Sequence, residues 1–167
     1  RDAVAPEARM SERDAVLITY ADLLQTPGEV PLRTLARWLD GPLADTVSTV
    51  HLLPFYPWSS DDGFSVKAYR EVEPSYGTWD DVNAVGAHHR LMFDAVINHA
   101  SAQGAWFDAY LQGTPPYRDW FRSERPDADL SSIVRPRTTP LLTRFEAHDG
   151  ARWLWTTFGP DQVDLDY

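Results

Sequence analysis

Three polar segments contain the residues best suited to bind or transform a substrate: Thr19–Asp22, Ser59–Phe64 and Asn98-His99. In the second segment Asp61 and Asp62 are adjacent, and Gly63 permits a tight backbone turn beside them. A carboxylate at such a turn can accept hydrogen bonds from vicinal sugar hydroxyls, and Phe64 can offer a flat face to the sugar ring. Taken by itself the segment is more simply a solvated Asp-Gly turn, so sugar binding needs support from elsewhere in the chain.

The remaining titratable candidates leave two interpretations open. Asp94 lies inside an apolar stretch, so it is either paired in the interior or points to the functional end of a sheet. His99 can donate to a sugar hydroxyl or be a hydrogen-bonded core histidine, and the Asn98-His99 pair alone favours the core. His88 and His89 are adjacent on a predicted helix and cannot easily face one metal ion. With no carboxylate cluster typical of calcium sites, we expect no required metal.

The hydrophobic pattern predicts a sheet that would bring the polar segments together. The predicted strands cover residues 16–20, 47–53 and 90–97, and the predicted helices cover 31–40 and 79–89. Thr78 can cap the second helix, whose first turn contains Asp80 and Asp81. This alternation indicates an α/β fold with a parallel sheet covered on both faces, in which functional groups gather at the carboxyl ends of the strands.

The pattern changes after residue 100. Residues 105–112 can form a helix, 113–150 are rich in Pro, Arg, Asp and Thr without a sustained period, and 153–158 are predicted to form a strand. Residues 100–160 therefore form a long excursion after the third strand, and excursions of this length are usually functional or form a small subdomain. Residues 1–14 are expected to be a flexible leader.

Composition narrows the class of protein. The chain has 167 residues, a net charge of −10 and no cysteine, which excludes disulfides and thiolate metal sites and argues against a nucleic-acid partner. Aromatic residues make up 13% and include seven Trp, which suits either sugar stacking or an aromatic core. No apolar stretch approaches the roughly 20 residues of a membrane span, and the charged first residues lack a secretory signal. We expect a cytoplasmic protein without a membrane partner.

Several strings together resemble one known family. Asp94–His99 resembles the first signature region of the α-amylase superfamily, glycoside hydrolase family 13. Further strings, in order across residues 16–167, are similar to the sucrose phosphorylase subfamily: Leu17–Asp22, His51–Phe55, Asp61–Phe64, Gly77–Asp81, Arg135–Arg137, Phe158 and Gln162–Asp164. The segment PWSSDDGFSV is more similar to the members that phosphorolyse glucosylglycerate.

The resemblance implies a fold and a reaction. The fold is the N-terminal part of a TIM (β/α)8 barrel, with three βα units in residues 15–99 and a small inserted domain in 100–167. The implied reaction is retaining transfer of an α-glucosyl group from sucrose, or a similar α-glucoside such as glucosylglycerate, to phosphate. Phosphate is a co-substrate, and no cofactor is implied. The nucleophile Asp and the acid/base Glu follow the fourth and fifth strands in this family, so we expect them beyond residue 167 of an N-terminal fragment.

The resemblance also implies roles on the donor side of the site. Asp61 matches the aspartate that binds hydroxyls at the non-reducing side of the donor glucose. Phe64 matches an aromatic platform beneath that sugar, and His99 matches a histidine that hydrogen-bonds the 6-hydroxyl.

Other matched residues border or support the implied site. Phe158 and Gln162 match residues that border it from the inserted domain. Arg137 matches an arginine on the phosphate or acceptor side. Asp94 and Asn98 match supporting residues of the first signature region.

One residue departs from the sucrose phosphorylase pattern, and two alternative functions stay open from the sequence. Val134 stands where sucrose phosphorylases have a tyrosine, which alters the acceptor side and argues against sucrose as the substrate. A hydrolase or transglucosylase of the same superfamily is one alternative. The other is an inactive module that binds sugar or assembles, for which a homodimer would complete the exposed sheet edge.

Overall fold

The structure is a computed structural model that describes residues 11–135 and 137–167. Most of the predicted leader lies outside the described residues. The strands are β1 (Val16–Thr19), β2 (Thr49–Leu52), β3 (Arg90–Phe93), β4 (His99–Ser101), β5 (Ser123–Glu124), β6 (Leu142–Ala147), β7 (Gly150–Trp155) and β8 (Gln162–Asp164). The helices are α1 (Pro31–Asp40), α2 (Trp79–Val85) and α3 (Ala105–Leu111). In the described part of the chain, no helix is long and apolar enough to span a membrane.

One compact unit comprises the described residues up to Leu53 together with Ser75–Phe93. Its strands form a parallel sheet in the order β1-β2-β3, in which Val50 pairs with Leu17 on one side and Leu91 on the other. Helix α1 connects β1 to β2, and α2 precedes β3. The predicted alternation of strands and helices and the parallel pairing are therefore confirmed.

Helix α1 packs against α2 through a shared apolar core. Leu32, Leu35 and Leu39 are buried on one face of α1, at the three- and four-residue spacing that places side chains above one another. Val82 and Val85 are buried on α2. Each such side chain contributes about 1.5–3 kcal/mol on full burial, so these buried faces stabilise both helices.

Only the central strand has the coverage that the sequence predicts. Val50 and Leu52 of β2 are fully buried, but Ile18 of β1 is 61% exposed and Met92 of β3 is 47% exposed. The prediction that all three strands are covered on both faces is wrong within the described residues, because no described segment covers Ile18 of β1 or Met92 of β3.

A second compact unit comprises Pro54–Pro74 and Asp94–Tyr167. Its sheets are antiparallel: β4 pairs with β8, and β7 lies between β5 and β6. Its apolar core is formed by residues from three strands, α3 and one loop: Ala100, Phe107, Tyr110, Phe121, Leu154 and Val163, with Phe145 of β6 packed against them. Phe107 meets the rings of Phe121 and Phe145 edge-on, with centroids 5.1 and 4.8 Å away, a favourable arrangement for aromatic pairs.

Several predicted element boundaries are wrong in this unit. The strand predicted over 90–97 ends at Phe93, because the Ile97 N–H donates to the Ala95 carbonyl (2.8 Å) in a tight turn before β4 begins. The stretch 113–150 contains β5 and β6, and the strand predicted over 153–158 is β7, which begins at Gly150. Gly150 has φ of +126°, and this conformation closes the β6–β7 hairpin.

The predicted boundary between a barrel part and an inserted domain at residue 99 stays a prediction. Residues 54–74 pack with Asp94–Tyr167 in the structure. A compact unit is defined by contacts within one structure, whereas an inserted domain is defined by comparison with the family fold. The packing of residues 54–74 therefore does not decide where the inserted domain begins.

The predicted N-terminal cap of α2 is confirmed. The buried Asp81 carboxylate accepts hydrogen bonds from the Thr78 N–H and hydroxyl, both 2.8 Å away, and from Arg33 Nε at 2.7 Å. The helix ends at Val85 instead of residue 89, and Gly86 is its C-cap. A Cβ on Gly86 would lie 2.8 Å from Leu91 Cδ1 of β3. The close approach of β3 therefore places a glycine, a weak helix former, at the end of α2.

Replacing Asp81 by Asn should loosen the start of α2. Burial alone would raise the pKa of Asp81, but hydrogen bonds from Arg33 and Thr78 outweigh it and hold the pKa below the ordinary 3.8. We expect Asp81→Asn to lower the free energy of local opening of α2 by about 1–2 kcal/mol at neutral pH. Because the folded-state pKa is lowered, this stabilisation is present above the unfolded-state pKa and disappears as the pH falls through the folded-state value.

Hydrogen exchange of the α2 amides, in the full-length protein that carries this sequence, measures the effect. Comparison of variant and wild type at each pH cancels the intrinsic exchange rate. Asp80→Asn is the matched control, because Asp80 is exposed in the same helical turn. Equal losses for the two variants, or a loss that persists in acid, would contradict the role assigned to Asp81.

Candidate sugar-binding site

The turn that carries Asp61 has an unusual backbone. Asp61, Asp62 and Gly63 form a single 3-10 turn in which all three have positive φ, of 58°, 49° and 104°. Asp tolerates this region better than most residues, yet each such non-glycine conformation costs of order 1 kcal/mol and persists only where the surroundings enforce it. At Gly63 a Cβ would lie 2.5 Å from the Pro54 carbonyl oxygen, so only glycine fits. Backbone strain of this kind is concentrated at functional sites.

Strands β4 and β8 supply the residues that face this turn. In their antiparallel pairing His99 lies opposite Asp164 and Ser101 lies opposite Gln162. Because side chains alternate along a strand, Ala100 and Val163 join the apolar core, while the four polar residues form a separate buried layer. The same pair of strands thus anchors the core and presents the polar side chains of the site.

Gln162 bonds to the turn and lies beside His99. Its Nε2 donates to Asp61 Oδ2 at 2.8 Å and lies 3.2 Å from His99 Nε2. Asp61 is exposed, and Gln162 is only 5% exposed, so a buried amide holds a carboxylate that stays accessible to solvent. Within the described part of the chain, Asp61 Oδ2 accepts this hydrogen bond from Gln162. The other oxygen, Oδ1, can accept a hydrogen bond from a ligand hydroxyl.

Buried His99 is held as one neutral tautomer. Its Nε2 lies 2.9 Å from the Phe64 carbonyl oxygen, which can only accept, so Nε2 carries the proton. Nδ1 then accepts from Asn98 Nδ2 at 3.4 Å. Burial lowers the pKa of His99, while the Phe64 carbonyl and the charges of Asp164 and Asp61 oppose that effect without cancelling it. The imidazole is therefore uncharged at neutral pH and fixes the backbone beside Phe64.

An aromatic ring and a cation complete the group. The Phe158 ring lies 5.1 Å from the His99 ring, and the guanidinium carbon of Arg137 lies 5.9 Å from the Phe158 centroid. Arg137 is exposed and Phe158 is half-buried. Arg135 donates to the Thr157 carbonyl at 2.7 Å, which anchors the Arg137 segment beside Phe158. The arrangement combines an acceptor, a neutral ring, an aromatic face and an exposed positive charge.

The structure thus brings six of the sequence-predicted residues into one group: Asp61, Phe64, His99, Arg137, Phe158 and Gln162. Asn98 contacts this group through His99. The prediction that Asp94 lies within a strand is wrong, since β3 ends at Phe93 and Asp94 follows it in a loop. Asp94 is close to Tyr56, whose pKa is raised by burial and further by the Asp94 charge. The individual roles of these residues in sugar binding stay predictions.

Sequence reasoning included Ser59 and Ser60 in a candidate segment but missed Asp161, which binds them, and Ser65. The Asp161 carboxylate accepts hydrogen bonds from the hydroxyls of Ser59, Ser60 and Ser65, which flank the strained turn. Asp161 immediately precedes Gln162, and this adjacency to a candidate residue is the one signal that the sequence offered. For metal binding, residues 11–135 and 137–167 contain no group of three or more His, Cys, Asp or Glu side chains arranged to hold an ion.

Comparison with known proteins assigns the chain to a family. Residues 46–167 match the family model for the α-amylase catalytic domain, and the chain belongs to that family, glycoside hydrolase family 13. The resemblance inferred from the sequence strings is therefore confirmed.

Individual relatives narrow the comparison. The chain is 51% identical over 158 residues to the glucosylglycerate phosphorylase of Spirochaeta thermophila, covering 95% of this chain and 27% of that protein. It is 35% identical over 162 residues to the sucrose phosphorylase of Streptococcus mutans, covering 90% and 33%. The crystal structure of sucrose 6F-phosphate phosphorylase from Thermoanaerobacter thermosaccharolyticum superimposes with a TM-score of 0.80 at 28% identity, covering 97% and 35%. The chain spans between 27% and 33% of the length of these two curated relatives.

Gly63→Ala should disrupt the strained turn more than its φ value alone requires. The added Cβ would meet the Pro54 carbonyl, which belongs to the backbone and cannot move aside cheaply. Gly150→Ala is the matched control, since Gly150 also has positive φ but has nothing within 4 Å of the Cβ position. We expect Gly63→Ala to cost about 1–3 kcal/mol more than Gly150→Ala.

Thermal unfolding of both variants of the full-length protein measures this difference. Hydrogen exchange of the peptide spanning residues 59–65 then locates the loss. Similar melting temperatures for the two variants would contradict the close approach of Gly63 to Pro54.

Proposed function

We propose that the full-length protein is a retaining α-glucosyl phosphorylase that transfers glucose from glucosylglycerate, or a similar α-glucoside, to phosphate. The observation that carries the proposal is that buried Gln162 donates a hydrogen bond to the exposed carboxylate of Asp61 and lies next to neutral His99. A carboxylate with a free acceptor oxygen and a neighbouring aromatic ring is suited to a neutral polyol, which offers vicinal hydroxyls and an apolar ring face.

The charges of the site fit a donor sugar next to an anion. In the proposed arrangement Asp61 binds hydroxyls of the donor glucose, and Phe64 and His99 line the same sugar. Arg137, exposed near Phe158, supplies positive charge for phosphate or for the carboxylate of glycerate. The 51% identity to a glucosylglycerate phosphorylase against 35% to a sucrose phosphorylase supports glucosylglycerate as the donor, as does Val134 in place of a tyrosine.

The proposed reaction proceeds in two displacements at the anomeric carbon. A nucleophilic carboxylate forms a bond to that carbon as the glycosidic bond breaks, and the leaving oxygen takes a proton from a carboxylic acid. Phosphate then attacks the anomeric carbon of the glucosyl-enzyme from the face that the leaving group vacated, and the bond to the nucleophilic carboxylate breaks. The phosphate gives its proton to the carboxylate that protonated the leaving oxygen, so α-glucose 1-phosphate is released and both carboxyl groups return to their starting states. We propose that both catalytic carboxyl groups lie beyond residue 167, and that this chain supplies the donor pocket.

The proposed architecture is the start of a TIM barrel. The parallel sheet β1-β2-β3, with α1 and α2 beside it, has the pairing that the first βα units of a barrel require. We propose barrel units in residues 15–99 and an inserted domain in residues 100–167. We further propose a cytoplasmic enzyme that uses phosphate as co-substrate and needs no metal or other cofactor, with a homodimer as its assembly.

A second candidate is a transglucosylase or hydrolase of the same family. What favours it is that the roles proposed for Asp61, Phe64 and His99 concern the donor sugar, whose recognition is independent of the acceptor. A trehalulose synthase variant superimposes with a TM-score of 0.75 at 25% identity. Release of α-glucose 1-phosphate rather than glucose or an isomerised disaccharide separates the two candidates.

Asp61→Ala should abolish most of the activity. Loss of charged hydrogen bonds worth about 1.5–3 kcal/mol each predicts a fall of about 10²–10³-fold in kcat/KM for the donor. The assay is release of α-glucose 1-phosphate from glucosylglycerate and from sucrose in phosphate buffer.

Asp62→Ala is the matched control, because Asp62 also has positive φ and is exposed. It removes the same type of side chain from the same strained backbone, so it should lower stability while leaving kcat/KM of the folded enzyme within about threefold of wild type. Equal losses for the two variants would assign the effect to the backbone. A wild-type protein that phosphorolyses no α-glucoside would contradict the proposed function.

A further inference from the structure

Half-buried Asp161 lies in the connection between β7 and β8 and joins three separate parts of the chain. Its Oδ2 accepts hydrogen bonds from Ser59 (2.5 Å), Ser60 (2.6 Å) and Ser65 (2.9 Å), and its Oδ1 accepts from Gln103 Nε2 (3.2 Å). Its backbone carbonyl accepts from the Ala102 N–H at 2.9 Å. The carboxylate therefore ties the loop that carries Asp61 to the end of β4.

The partners of Asp161 suit a permanent negative charge. All four side-chain donors in these hydrogen bonds are neutral, so the Asp161 carboxylate is stabilised by hydroxyl and amide dipoles and not by a positive charge. Burial alone would raise the pKa of Asp161, but the serine and glutamine hydrogen bonds outweigh it and hold the pKa below the ordinary value. A buried Ser101 hydroxyl lies 2.6 Å from Ser59 Oγ and extends the network toward β4.

The position of the three serines decides what this network does. Ser59 and Ser60 immediately precede the strained Asp61–Gly63 turn, and Ser65 follows Phe64 after it. One carboxylate oxygen thus holds both ends of a segment whose central residues have positive φ. Such a conformation persists only where external contacts enforce it, and the Asp161 carboxylate supplies three of them at once.

The apolar core does not depend on these contacts. Ala100 and Val163 pair across β4 and β8 and belong to the aromatic core cluster, whereas the Asp161 carboxylate bonds to three serine hydroxyls and the Gln103 amide. Removing the carboxylate should therefore release the turn while the strands stay paired. Released, Asp61 would no longer lie within reach of Gln162.

We propose that Asp161 is a positioning residue that clamps the strained turn and so places Asp61 to bind the donor sugar. This inference rests on the proposed function, because it takes Asp61 as the ligand of the donor glucose. Asp161 itself contacts no substrate and acts through Asp61 and Gln162.

The test is steady-state kinetics of Asp161→Ala in the full-length protein, with the α-glucoside donor and phosphate varied separately. Loss of a positioning contact that binds ground and transition states alike should raise the donor KM by about tenfold with a much smaller change in kcat. The phosphate KM should stay at its wild-type value. Asp161→Asn keeps one acceptor oxygen for the serine hydroxyls and should raise the donor KM less than Asp161→Ala.

Asp127→Ala is the matched control, since Asp127 is exposed and pairs with Arg125 two residues away. It should leave both KM values unchanged. A merely structural role for Asp161 would lower the amount of active enzyme, and with it kcat, without moving the donor KM; that result overturns the proposal.

A double variant provides an independent check. If Asp161 acts through Asp61, Asp161→Ala should reduce kcat/KM much less in the Asp61→Ala background than in the wild type. Fully additive losses would overturn the proposal. If Asp161→Ala does not fold, Ser60→Ala removes one of the three hydroxyl donors and must still raise the donor KM; an unchanged value there is equally decisive.

Failure of the proposed function is distinguishable from failure of this inference. An enzyme that hydrolysed the donor, or transferred its glucose to another sugar, would contradict phosphorolysis. The donor KM of Asp161→Ala against wild type would still decide the role of Asp161 in that reaction. Conversely, normal phosphorolysis with an unchanged donor KM in Asp161→Ala would overturn only the inference.

Discussion

The strained turn at Asp61–Gly63 sets the conditions that the surrounding residues meet. Three consecutive positive φ values are unfavourable, and the turn holds its shape because hydrogen bonds to Asp161 fix its flanks and Gly63 fits against the Pro54 carbonyl. This turn leaves the Asp61 carboxylate exposed to solvent, while the buried amide of Gln162 donates a hydrogen bond to one of its oxygens. The contacts that enforce the positive φ values of the turn therefore also fix the position of the Asp61 carboxylate.

Strands β4 and β8 allow a polar site to lie directly beside an apolar core. Their alternation sends Ala100 and Val163 into the aromatic cluster and leaves His99 and Gln162 in a polar layer, where His99 donates to the Phe64 carbonyl and Gln162 donates to Asp61. His99 is neutral because it is buried, so the site places no positive charge against Asp61 from that side. The carboxylate then remains available to hydroxyl groups, which suits a neutral sugar, while the cation of the group, Arg137, lies beyond Phe158.

Local patterns predicted the first unit well and the second unit poorly. Helix α1 has the predicted bounds of residues 31–40, because Pro31 opens it and the leucines recur at helical spacing. The break after Phe93 escaped prediction, since an apolar run contains no sign of the tight turn at Ala95–Ile97. Strand β6 was missed although Leu142–Ala147 alternates, because its mixed polar composition is that of an exposed hairpin.

The sequence by itself determined which local elements form, which family strings occur, and that Asp61, His99 and Gln162 are candidates for one site. Local elements depend on residues a few positions apart. The family and the candidate residues were inferred from short strings that can be compared directly with those of known proteins. Only the tertiary structure decided that Asp161 holds Ser59, Ser60 and Ser65, which are 102, 101 and 96 positions away in the chain. It also decided that Asp61 and Asp62 adopt positive φ. The physical reason is that these features arise from hydrogen bonds between distant segments, and such bonds exist only once the fold has brought those segments together.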